Sequence, residues 1–172
     1  MILRDGVLAG TAVVIAGAGE LGAAVRTRAA ALGATVAERA VDPHGEEVAF
    51  EGEADVLVFD GSEIAGMQTL LDGAWVAVRP VATGAMIERG GGLIVLLAPR
   101  PGGPVEEAAR AGLENLARTL SVEWARFGVR PVAVLPGPAT SSAEVAELVA
   151  FLATAAGTYY SGCAFTMGAA AG

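Results

Sequence analysis

The sequence predicts an α/β domain, residues 1–172, organised as a doubly wound parallel sheet of about seven strands, and three observations carry that expectation. Short apolar runs alternate with helix-length amphipathic stretches along the chain, the order that strand–helix–strand crossovers produce. The run GGGLIVLLAP is continuously apolar, as a parallel strand covered on both faces must be. The run TAVVIAGAGELG leads straight into Gly17, Gly19 and Gly22 and then a helix, the G-x-G-x-x-G spacing of a Rossmann-type first unit.

Composition narrows the function. The residues are 53% hydrophobic with few aromatics, which suits close helix-on-sheet packing and leaves apolar surface for a partner subunit to cover. A net charge of −8 without a basic cluster repels polyanions, so nucleic acid is not an expected partner. No run of 18 apolar residues marks a membrane span, and MILRDGVLAG lacks the basic and apolar regions of a leader. The expectation is a soluble, cytoplasmic protein. Cys163 is the only cysteine, which excludes an internal disulfide and reads as a small hydrophobe. His44, the only histidine, stands in a turn between Pro43 and Gly45 with no second ligand at a metal spacing.

The elements follow in order. A strand at 11–16 precedes a helix at 20–32 whose Leu21, Val25, Ala29 and Leu32 form one apolar stripe. A second strand at 34–38 is separated from the next, at 55–59, by only AVDPHGEEVAFE, which leaves room for a short third strand at 48–50 but not for ordinary helices around it. A helical stretch at 63–89 is expected to break or bend near Pro80. After the strand in GGGLIVLLAP, Pro104 starts a helix with Val105, Ala109, Leu113, Leu116 and Leu120 on one side, ended by Phe127 and Gly128. A strand at 129–135, a helix at 143–155 with Val145, Leu148, Val149 and Leu152 inward, and a strand at 163–167 complete the chain.

In such a unit Gly17, Gly19, Glu20, Leu21 and Gly22 meet a dinucleotide diphosphate, because the first helical turn offers free N–H groups and the positive end of the dipole. An acidic residue ending the second strand holds ribose hydroxyls, whereas an arginine there favours a 2′-phosphate. Glu38 and Arg39 stand side by side, so NAD and NADP both remain open.

The chain resembles the short-chain dehydrogenase/reductase (SDR) family over nearly its whole length, through AGAGELG, DVLVFDG, MIERGGGLIVLLA, RAGLENLARTLSVEWARFGVRPVAVLPG and AEVAELVAFLATAAGTYYSGCAFTMG. Family members typically read DVLVNNAG, GGGRIVNISS, YxxxKAGL and a PG turn at the corresponding places. The resemblance puts Asp60 and Gly61 beside the cofactor, and Pro136, Gly137 and Thr140 at its nicotinamide end. It also implies pairing through helices 63–89 and 105–127, the latter carrying the small residues Ala108, Ala109, Ala111 and Gly112.

The departures from the family decide the expected function. Where the family has tyrosine, lysine, serine and asparagine, the alignment gives Glu106, Arg110, Ala98 or Pro99, and Leu71 or Asp72. A tyrosine whose pKa is lowered toward neutrality is a matched general acid; a carboxylate is already ionised there, and losing the donor typically costs about 10²–10⁴ in rate. Tyr159 and Tyr160 match an aromatic packing position before the last strand. The stretch that usually forms a lid after the PG turn is reduced to PGPATSS. The expectation is a degenerate, non-catalytic SDR-like protein, able to bind NAD or NADP through the glycine loop, and acting as a homodimer or as the partner of a catalytically intact relative. The alternatives are an NAD(P)-dependent oxidoreductase that recruits Glu106, Arg110 or Asp60, and a sensor that binds the cofactor without turnover.

Overall fold

The computed structural model describes residues 3–45 and 47–168; Met1, Ile2, Glu46 and residues 169–172 lie outside it. Its six strands are β1 (Ala12–Ala16), β2 (Thr35–Arg39), β3 (Val56–Asp60), β4 (Gly92–Leu97), β5 (Val129–Leu135) and β6 (Ala164–Thr166). They form one sheet in the order β2-β1-β3-β4-β5-β6, and every pair is parallel. The doubly wound α/β expectation therefore holds.

Two packed layers explain the apolar runs. On one face α1 (Glu20–Ala31) and α5 (Ser142–Ala153) cover Val13, Ile15, Val56, Val58, Val95 and Val134. On the other, α2 (Met67–Val81) and α4 (Pro104–Glu123) cover Val14, Leu57, Phe59, Ile94 and Leu96. Successive residues of β3 thus serve opposite layers, which is why VLVFD shows no polar alternation.

The third strand expected at 48–50 is absent, and the sheet has six strands rather than about seven. Val48 is 66% exposed, and its carbonyl accepts from Arg39 Nη2 (2.6 Å) rather than from a strand ladder. With no helix to cover a strand beyond β2, that backbone gains nothing from pairing there. Phe50 alone of this stretch packs on the core.

The helix expected from residue 63 begins at Met67 and does not stop at Pro80. The ring removes one N–H from the ladder, and the helix widens directly afterwards into a π turn (Ala82–Met86) before α3 (Ile87–Arg89) closes it. The continuous run Met67–Arg89 has 23 residues and a mean hydropathy of 1.2, enough by length and composition to cross a membrane. Here Leu70, Ala74, Ala77, Val78 and Val81 are buried on the sheet, so it is a core helix of this fold.

Tyr160 packs against Phe151 and edge-on to Phe165, with ring centroids 6.2 and 5.2 Å apart. Tyr159, assigned the same role from sequence, is instead 91% exposed, because it ends a 3-10 turn (Ala155–Tyr159) on its solvent side.

The turn after β5 runs directly into α5 through a capping box. The Glu144 amide donates to Ser141 Oγ, while Glu144 Oε2 accepts from the Ser141 amide and hydroxyl. These bonds hold the Glu144 carboxyl below its ordinary pKa. Its contribution is therefore present above the ordinary glutamate range and is lost as pH falls through the lowered value. Ser141→Ala is expected to lower stability by about 1 kcal/mol in urea denaturation at neutral pH, with a smaller difference from wild type in acid.

Candidate functional site

The strand order reverses between β1 and β3, the place where an open α/β sheet gathers its ligands. In the parallel register Ala16 faces Phe59, so Gly17, just past β1, lies beside Asp60, the last residue of β3. Asp60 is 2% exposed. Its Oδ2 accepts from the Gly22 amide (2.6 Å) and its Oδ1 from the Ser62 amide (3.0 Å). Gly19 is the N-cap of α1 and carries no side chain to cap the helix, so Asp60 reaches across from β3 and performs that role.

Two clefts flank this point. One, of about 570 Å³, is lined by Gly17, Gly19, Glu38, Arg39, Asp60 and Arg26 among others. Within it Arg26 pairs with Glu38 at 3.2 Å, while Arg39 donates out of it to the carbonyl of Val48. The second, of about 360 Å³, is lined by Glu20, Ser62, Glu63, Pro99, Arg100 and Glu106 among others. Here Arg100 Nη2 donates to Glu20 Oε1 (2.7 Å), and the Glu20 amide donates to Glu63 Oε1 (3.2 Å).

The remaining residues assigned from sequence have structural work. Leu21 is fully buried. The Gly61 amide donates to the Leu97 carbonyl (3.0 Å), tying β3 to β4. Pro136, Gly137 and Thr140 form a closed turn in which the Gly137 amide donates to Thr140 Oγ1 (3.0 Å), and none of the three lines either cleft. Asp72, near the family's asparagine position, accepts from Gln68 on an exposed helical turn. Among the described residues no group of three His, Cys, Asp or Glu is placed to hold a metal ion. Sequence reasoning missed Glu63 and Arg100. Glu63 was accessible to it, since an acid just past β3 must fall near the β1 loop in this topology. Arg100 was not, because its partner Glu20 is 80 positions away.

Arg110 projects from α4 and is 7% exposed. Its Nη1 donates to the carbonyls of Pro99 (2.7 Å) and Pro136 (2.8 Å), so one guanidinium ties together the loops after β4 and β5. Glu107 approaches its Nε at 3.6 Å.

No family model matches the sequence. Among solved structures the chain is similar to a hydroxysteroid dehydrogenase from Escherichia coli, with a TM-score of 0.77 and 18% identity over 94% of this chain and 97% of that one. It is similar also to BdcA (YjgI) from E. coli, with a TM-score of 0.75 and 21% identity over 94% of this chain and 100% of the other. The fold is SDR-like.

An SDR-like fold implies a nicotinamide dinucleotide, and the glycine loop is where its diphosphate belongs. The carboxylates gathered there do not fit that group, although Ser62 Oγ and Arg100 Nη1 are buried beside them without a partner. The Gly22 and Glu20 amides already serve the carboxylates of Asp60 and Glu63, and the Glu20 carboxylate stands at the same helix end. A diphosphate entering this SDR-like site meets three acidic side chains, and the guanidiniums of Arg100 and Arg26 are each bound to a carboxylate, Glu20 and Glu38.

If Arg110 braces the two loops, Arg110→Met should lower stability by about 3 kcal/mol in urea denaturation, since two buried carbonyls lose a charged donor. Arg110→Lys should recover part of the loss.

Proposed function

We propose that this chain is a non-catalytic SDR-like protein that acts as a subunit, pairing with a second copy of itself or with a catalytically intact relative. Arg110 is the observation that carries this reading. At the position the resemblance assigns to the catalytic lysine, the guanidinium is buried and bound to two backbone carbonyls, which makes it a brace between loops. Pro99, at the serine position, has no hydroxyl, and Glu106, at the tyrosine position, brings a carboxylate to a cleft that already holds Glu20 and Glu63. No tyrosine, histidine, lysine or cysteine is among the residues lining that cleft.

The outward faces of α2 and α4 support the subunit role. Ala109 is buried, and a Cβ on Gly112 would stand 3.1 Å from Leu71, so these two small residues serve the packing of α4 on its own sheet and on α2. Ala108 and Ala111 are exposed and line up with Asn115, Thr119 and Val122 at helical spacing. Val122 is 78% exposed, and on α2 Trp75 is 42% exposed, with the Arg79 guanidinium 5.9 Å from its ring centroid. Two such faces apposed would remove these apolar groups from water while the small residues allow close approach.

Light scattering after gel filtration should give twice the chain mass, and Ala111→Arg should give a monomer with unchanged circular dichroism. A wild-type monomer with which no related enzyme co-purifies contradicts the proposal. With NADH or NADPH and small aldehydes or ketones, no cofactor oxidation above the buffer rate is expected. Turnover that falls in Glu106→Gln would favour an oxidoreductase with an unfamiliar site.

A further inference from the structure

From the glycine loop we infer that Asp60 is a built-in substitute for a cofactor phosphate: its carboxylate occupies the anion seat at the α1 N-terminus and closes the SDR-like fold to phosphate-bearing ligands. The assignment rests on what each glycine makes room for. A Cβ on Gly17 would lie 2.7 Å from the Asp60 carbonyl oxygen. On Gly19 it would lie 2.5 Å from Ser62 Oγ and 2.6 Å from Asp60 Oδ2, and on Gly22 2.9 Å from that carboxylate oxygen. All these spacings are shorter than carbon–oxygen contact permits, so the G-x-G-x-x-G pattern is required by residues of this chain before any ligand is considered.

The chemistry of the seat is consistent with that assignment. A carboxylate 2% exposed needs hydrogen bonds and positive potential in place of water, and Asp60 has the Gly22 and Ser62 amides together with the end of the α1 dipole. Those features, a glycine-cleared space, a free amide at the third helical position and a dipole end, are the ones a diphosphate uses. Glu63 takes a second first-turn amide, that of Glu20. A second anion would have to displace a buried one and accept its repulsion at contact distance. The loop is consequently held by side chains of the chain itself, whether or not the chain pairs with a partner.

The test compares wild type with Asp60→Ala and Asp60→Asn, using inorganic pyrophosphate and NADH as probes in thermal melts and titration calorimetry. Neither probe should shift the wild-type melting temperature or give saturable heat. Asp60→Ala vacates the seat, so it should melt lower than wild type and be restored saturably by pyrophosphate but not by chloride at equal ionic strength. Asp60→Asn keeps an acceptor for the Gly22 amide and removes the charge but loses the Ser62 bond; it should melt lower than wild type by less than Asp60→Ala, and bind pyrophosphate about tenfold more tightly than wild type or better. The Asp60→Asn arm decides if Asp60→Ala does not fold. Saturable binding of NADH or pyrophosphate to wild type overturns the inference, as does an Asp60→Asn protein that binds pyrophosphate no better than wild type.

Discussion

The contact between the Asp60 carboxylate and the Gly22 amide joins the two strands at which this sheet changes direction. It links the end of β3 to the start of α1, over 38 positions of sequence, in a place sealed from water. A buried carboxylate tolerates few neighbours, and here it demands two backbone donors, a helix end and three residues without side chains. Those demands fix how the β1 loop passes the end of β3 and enters α1. The acidic character of the site is thus part of what holds the fold together.

The opposite side of the same sheet edge is organised by a charge of the other sign. Arg110 stands on α4 as Asp60 stands on β3, and the oxygens it gathers come from the loops after β4 and β5. A guanidinium suits this task because its donors form a rigid planar fork and it stays charged when buried. Both side chains hydrogen-bond to backbone, and the surface left with unsatisfied apolar groups is the outer face of α2 and α4.

Much of this architecture is legible in the residues. Fully apolar runs such as VLVFD and GLIVLL identify strands between two helical layers, and the stripe Leu21, Val25, Ala29 places α1 correctly against the sheet. The short segment after β2 misleads, because Val48 to Phe50 has strand composition but no covering helix. Pro80 does disturb its helix as expected, but the disturbance is absorbed in a π turn, which depends on tertiary packing rather than on local preference. The capping box at Ser141 can be read from its S-x-x-E spacing, a signal that a helix start placed at residue 143 passes over. Within the site, the three glycines and Asp60 all stand out in the sequence, yet their mutual contact does not, since a glycine pattern looks the same whether it clears space for a phosphate or for a neighbouring carboxylate. The register of β1 against β3 is what distinguishes the two.

An amide-resolved NMR titration of the wild-type protein with NADPH addresses the seat itself. If Asp60 holds the end of α1, the signals of Gly17, Gly19 and Gly22 stay in place throughout the titration. Saturable displacement centred on the Gly22 amide would mean that a phosphate reaches the helix end, and that the carboxylate yields to it.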